Sequence, residues 1–123
     1  MRHSTSIHGL LAALITAALL AVPVTSGCGT STGVTEIEIQ DLKFNPSEVT
    51  IKKGDTVRWV NKDQTAHTST AKGWKSHPDD PLIWNSEPEN PGETYEWTFD
   101  AAGEFEYSCL IHPYMNAKVI VED

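Results

Sequence analysis

The sequence predicts an all-β domain, an antiparallel sandwich or barrel. Apolar and polar residues alternate at a period of two from residue 34 onward, no stretch carries a helical period, and turn residues punctuate the alternation at short intervals. Short strands with frequent turns and no intervening helices are the pattern of sandwiches and barrels.

The strands follow in order. VTEIEI (34–39) sets Ile37 and Ile39 against Glu36 and Glu38. EVTIKKGDTVRWVN (48–61) reads as two strands, Val49–Lys52 and Thr56–Val60, with a Gly54-Asp55 turn between them. TYEWTF (94–99) puts Tyr95, Trp97 and Phe99 on one face, and EFEYSC (104–109) puts Phe105, Tyr107 and Cys109 in one phase. A last strand is expected over AKVIVED (117–123). Residues 71–93, rich in proline and acidic residues, read as an irregular excursion carrying one short strand at Leu82–Asn85. Trp59, Trp84, Trp97, Phe99, Phe105 and Tyr107 are the expected aromatic core. Trp74 is read as a loop anchor.

The N-terminus has a different character. Arg2 precedes an apolar run, Gly9 to Val24, too short to span a bilayer comfortably, and small residues then lead to Cys28. This is the pattern of a secretory leader, residues 1–27. The ending TSGC resembles a bacterial lipobox, which implies cleavage before Cys28, acylation of its sulfur and anchoring to a membrane. The alternative is ordinary cleavage near Ser26 or Gly27. Residues 28–33 form the lipidated cysteine and a flexible linker, and 34–123 the folded domain.

The chain carries a formal charge of −8. Without Arg2, eight basic residues face 17 acidic ones, so the electrostatic footprint of a nucleic-acid binder is absent. The acidic residues suit solubility, and they could also steer a basic partner protein. An acylated Cys28 cannot form a disulfide, which leaves Cys109 as a single thiol in an oxidising compartment. A bound metal would protect it.

The stretch YSCLIHPYM (107–115) spaces a thiol, an imidazole and a thioether at intervals of three. The phase of Cys109 turns its sulfur inward at the end of a strand, and the return of the chain toward Ala117 brings His112 and Met115 near it. A thioether is a poor ligand for Ca²⁺ or Mg²⁺, and zinc gains little from it. Two His and one Cys in a plane, with a weak axial Met, suit a copper that changes oxidation state. Outside the leader the only histidines are His67, His77 and His112. His77 sits in a polar loop and reads as solvated, whereas His67 follows a strand and opens another alternating run, so His67 is the second imidazole.

The stretches FNPSEVTIKKGDTVRWVNKDQTAH, TYEWTF and AGEFEYSCLIHPYM together resemble the cupredoxins, small type 1 copper proteins. The resemblance covers residues 35–123. The compact C-x-x-H-x-x-M spacing, with Pro113 after the histidine, is similar to that of amicyanins and shorter than that of plastocyanins. It implies a Greek-key β-sandwich or barrel of about seven to eight strands, a single copper held by His67, Cys109, His112 and an axial Met115, and no enzymatic activity. It also implies one-electron exchange with a redox protein donor and acceptor, through an apolar patch at Pro113 and Tyr114, by a monomer. Many relatives carry Asn after the first histidine, tying the ligand loops together; this chain has Thr68. A copper-binding module for storage, delivery or sensing would use similar ligands, and a structural zinc site is a further alternative.

Overall fold

The computed structural model describes residues 32–76 and 79–123; the leader, Cys28 and His77 lie outside them. Eight strands build two four-stranded sheets in a Greek-key sandwich. The first sheet runs in the order β2 (Lys43–Asn45), β1 (Val34–Gln40), β4 (Thr56–Asn61), β6 (Thr94–Thr98). The second runs β3 (Glu48–Lys52), β8 (Asn116–Glu122), β7 (Gly103–Ser108), β5 (Thr70–Ala71).

Alternation decides which face each strand buries. Ile37 and Ile39 of β1, Val57 and Trp59 of β4, Val49 and Ile51 of β3, and Val119 and Val121 of β8 all point between the sheets. Burying a side chain of this size stabilises the fold by about 1.5–3 kcal/mol. The aromatic centre is Trp59, stacked on Trp84 at 5.7 Å between ring centroids and met edge-on by Tyr107 at 5.5 Å. Phe99 meets Trp84 edge-on at 5.2 Å, and Trp97 and Phe105 are half-buried at the margin of this core.

The sheets depart from expectation in three places. Two pairings, β1 with β4 and β3 with β8, are parallel. A period of two carries no strand direction; the Gly54-Asp55 turn passes the chain from one sheet to the other, so β3 and β4 never pair with each other. The hairpin of β1 and β2 is also unannounced: β2 has only three residues, and its turn is made by Asp41 and Leu42 at φ 54° and 57°, without the glycine such turns favour. Finally, Leu82–Asn85 is not a regular strand. The segment from Trp84 to Glu89 instead lies along His67–Ala71, joined by Ala71 N–H to Trp84 O (3.0 Å), Ser86 N–H to Ser69 O (3.1 Å) and reciprocal bonds between His67 and Glu89 (3.1 and 2.7 Å). Pro88 and the positive φ of Glu87 (57°) keep it from pairing as an unbroken ladder. The excursion therefore returns to brace the segment that begins at His67.

Candidate metal centre

Cys109 follows the last residue of β7, and its sulfur continues the inward phase of Tyr107; both are fully buried. The loop behind it closes tightly, because Cys109 N–H donates to Met115 O at 3.1 Å and Met115 N–H to His112 O at 2.9 Å. His112 is thereby folded back over the sulfur. His67 comes from the connection that carries the chain from β4 in the first sheet to β5 in the second, and is fully buried against the returning segment.

The three donor atoms converge. His67 Nδ1 and His112 Nδ1 each lie 3.8 Å from Cys109 Sγ and 3.2 Å from one another. The point equidistant from all three lies about 2.1 Å from each, the length of an imidazole–metal bond and a little short of a metal–thiolate bond. Met115 is 3 % exposed and belongs to the same buried cluster as Cys109. A cysteine sulfur and two imidazole nitrogens spaced this way, with a buried methionine in the same cluster, fit copper better than any harder ion.

The surroundings hold these atoms in place. Thr68 N–H and His112 N–H approach the sulfur at 3.3 and 3.4 Å. Thr68 also ties the two ligand segments together, its hydroxyl accepting from Leu110 N–H at 2.8 Å. His67 Nε2–H, on the far edge of the ring from the convergence, meets Asp63 Oδ2 at 2.8 Å. Asp63 accepts in turn from Asp41 N–H (2.8 Å) and Leu42 N–H (3.0 Å) of the β1–β2 turn. Burial pushes the Asp63 carboxyl up, but the Leu42 and Asp41 amides and His67 outweigh it and hold the group below its ordinary value.

Two further buried polar groups brace His67. Asn61 spans Thr65 O and Glu89 O, both at 2.8 Å. Glu89 accepts from Ser69 Oγ at 3.0 Å. Burial pushes the Glu89 carboxyl up to about 7, Glu93 adds to the push, and the Ser69 and Ser86 hydroxyls oppose it. Asp63, Asn61 and Glu89 escape a reading of the sequence by ligand type, since none is a donor atom of the cluster and each acts on the segment at His67 only through hydrogen bonds. Trp74 is half-buried in the turn after β5, and Pro113 and Tyr114 stand exposed beside His112 with Leu110 and Ile111.

Residues 31–122 match the family of copper binding proteins described as plastocyanin/azurin. The chain belongs to this family. It is a cupredoxin, and its cofactor is a single type 1 copper ion. It is 32% identical to amicyanin-alpha of Methylorubrum extorquens over 99% of this chain and 100% of that protein. Its fold is similar to the crystal structure of amicyanin from Paracoccus versutus, with a TM-score of 0.62 and 31% identity over 83% of this chain and 86% of that one. A copper-containing nitrite reductase from Thermus scotoductus is also similar, at TM-score 0.64 and 26% identity, but this cupredoxin spans only 22% of that larger chain.

Proposed function

We propose that this cupredoxin is an exported one-electron carrier and not an enzyme. Copper bound here supplies a one-electron couple between Cu(I) and Cu(II). Everything else is the work of the chain. Cys109 would hold the metal through its thiolate, His67 and His112 would hold it through Nδ1, and Met115 would serve as the weaker fourth ligand. The observation that carries this reading is the pre-set triangle of donor atoms, fixed by backbone and side-chain hydrogen bonds from two sheets. A frame of this kind resists the geometry change that either oxidation state would prefer, so little reorganisation accompanies electron exchange.

His112 is the half-exposed ligand, so its outer edge is the port for electrons. Around it Leu110, Ile111, Pro113 and Tyr114 form an exposed apolar patch, with Tyr114 65% exposed, on which a redox donor and acceptor dock in turn. The carrier itself acts as a monomer, with no nucleic acid involved. Residues 34–123 form the working domain, delivered outside the cytoplasm by residues 1–27 and tethered to a membrane through acylated Cys28 and the linker 28–33.

Visible and electron paramagnetic resonance spectra with cyclic voltammetry test the reading. An electron carrier shows an intense thiolate-to-copper band when oxidised, narrow copper hyperfine splitting and fast, reversible voltammetry. A protein that binds copper in one oxidation state, with irreversible waves, is a storage or delivery module instead.

A further inference from the structure

Leu110 follows Cys109, and its N–H donates to Thr68 Oγ1 at 2.8 Å. Thr68 Oγ1 lies 2.9 Å from Thr70 Oγ1, which lies 2.8 Å from Asn85 Oδ1. Asn85 Nδ2 donates to the exposed Glu87 carboxylate at 2.9 Å. Thr70 Oγ1 is the donor toward both Thr68 Oγ1 and Asn85 Oδ1, its one proton shared between them, so a single buried hydroxyl bridges Thr68 to the returning segment. A buried polar network whose members are satisfied in this way rigidifies the groups it joins. Thr68 and Thr70 are 3% and 1% exposed.

Thr68 also reaches the sulfur itself, with its N–H 3.3 Å from Cys109 Sγ. It grips Cys109 and the peptide that follows it with two different atoms. We propose that Thr70 and Asn85 are positioning residues of the copper site, holding Thr68 so that its N–H stays on the Cys109 sulfur and raising the reduction potential thereby. The proposal rests on the reading of the site as a redox copper centre. An N–H at the sulfur withdraws electron density from it, and hydrogen bonding at this atom tunes the potential. When Thr68 is loosened, the thiolate donates more strongly and favours the oxidised metal. Thr68 stands where many relatives carry Asn; Thr70 and Asn85 extend its grip across β5 into the returning segment. A merely structural role for Thr70, as a satisfied buried hydroxyl in a short strand, predicts a change in stability alone.

Thr70→Val, nearly isosteric, is measured in the copper-loaded full chain and in the metal-free protein. The expected result is a lower potential, a shifted thiolate-to-copper band, and amide exchange at Thr68 and Leu110 faster by up to about tenfold, the equivalent of one hydrogen bond. Thr70→Ser restores all three. Asn85→Ala shifts them in the same sense and by less, and it carries the test if Thr70→Val does not fold. A wild-type potential, band and amide exchange in the folded variant overturn the proposal. Absence of any thiolate-to-copper band in the wild-type protein defeats the electron-carrier reading instead, and amide exchange in the metal-free protein then decides whether the chain of bonds acts as described.

Discussion

Asp63 Oδ2 receives the Nε2–H of His67 at 2.8 Å, and the same carboxylate receives the two amides of the β1–β2 turn. One side chain therefore does two things. It fixes the His67 tautomer with Nδ1 free to face the sulfur, and it secures a turn whose Asp41 and Leu42 both sit in the left-handed region. A carboxylate on the far nitrogen makes an imidazole a stronger donor, which favours the oxidised metal.

Asp63→Asn is accordingly expected to raise the reduction potential. An amide presents one acceptor oxygen and one NH₂ group to three incoming N–H donors, so at least one donor loses its charge-assisted partner. The expected cost is about 1–3 kcal/mol of stability, with copper affinity weaker by roughly 10–100-fold. Voltammetry and denaturant titration read the two effects separately. A lowered or unchanged potential would show that Asp63 only secures the turn.

Met115 and Cys109 are distinguished by what their loss changes. Met115→Gln is expected to retain copper and lower the potential, because an amide oxygen is a harder donor that favours Cu(II). Cys109→Ser is expected to abolish the intense visible band of the oxidised protein. An unchanged potential in the first variant would remove Met115 from the axis, and a surviving band in the second would remove the thiolate.

Glu89 makes the fold's stability depend on pH. Its carboxyl, 3% exposed, is raised to about 7 from an ordinary value of 4.5, first by burial. Between those values the folded protein holds a proton that the unfolded chain has released. Stability therefore falls as pH rises through this window and levels off above it, by something on the order of 2–3 kcal/mol. Glu89→Gln keeps the uncharged shape and should flatten the slope. Denaturation of both proteins from pH 5 to 8 measures it; parallel curves would mean that Glu89 is ionised in the fold throughout.

Much of this architecture is legible along the chain, and the reason is local. Ile37 and Ile39, Val57 and Trp59, and Phe105 and Tyr107 announce their strands by period, because each strand buries one face and wets the other. The inward phase of Tyr107 extends to Cys109, and a loop that must return within a few residues brings His112 back over the sulfur. What escapes is set by distance. Asp63, four residues from His67, escapes because its carboxylate is held by a turn some twenty residues upstream, Glu89 because it returns from the far end of the excursion, and Thr70 because its partner is Asn85. Strand direction escapes too, since the alternation of Val49 and Ile51 is the same whether β8 runs with β3 or against it. The three residues of β2 are too few to show a period at all.

The central claim concerns where the metal sits. Anomalous diffraction at the copper edge, from crystals of the oxidised, copper-loaded protein, tests it most directly. The expected result is one copper about 2.0–2.3 Å from His67 Nδ1, His112 Nδ1 and Cys109 Sγ. A copper bound without the sulfur, held through Nε2 of His67 in place of Asp63, or lying elsewhere on the chain would contradict it.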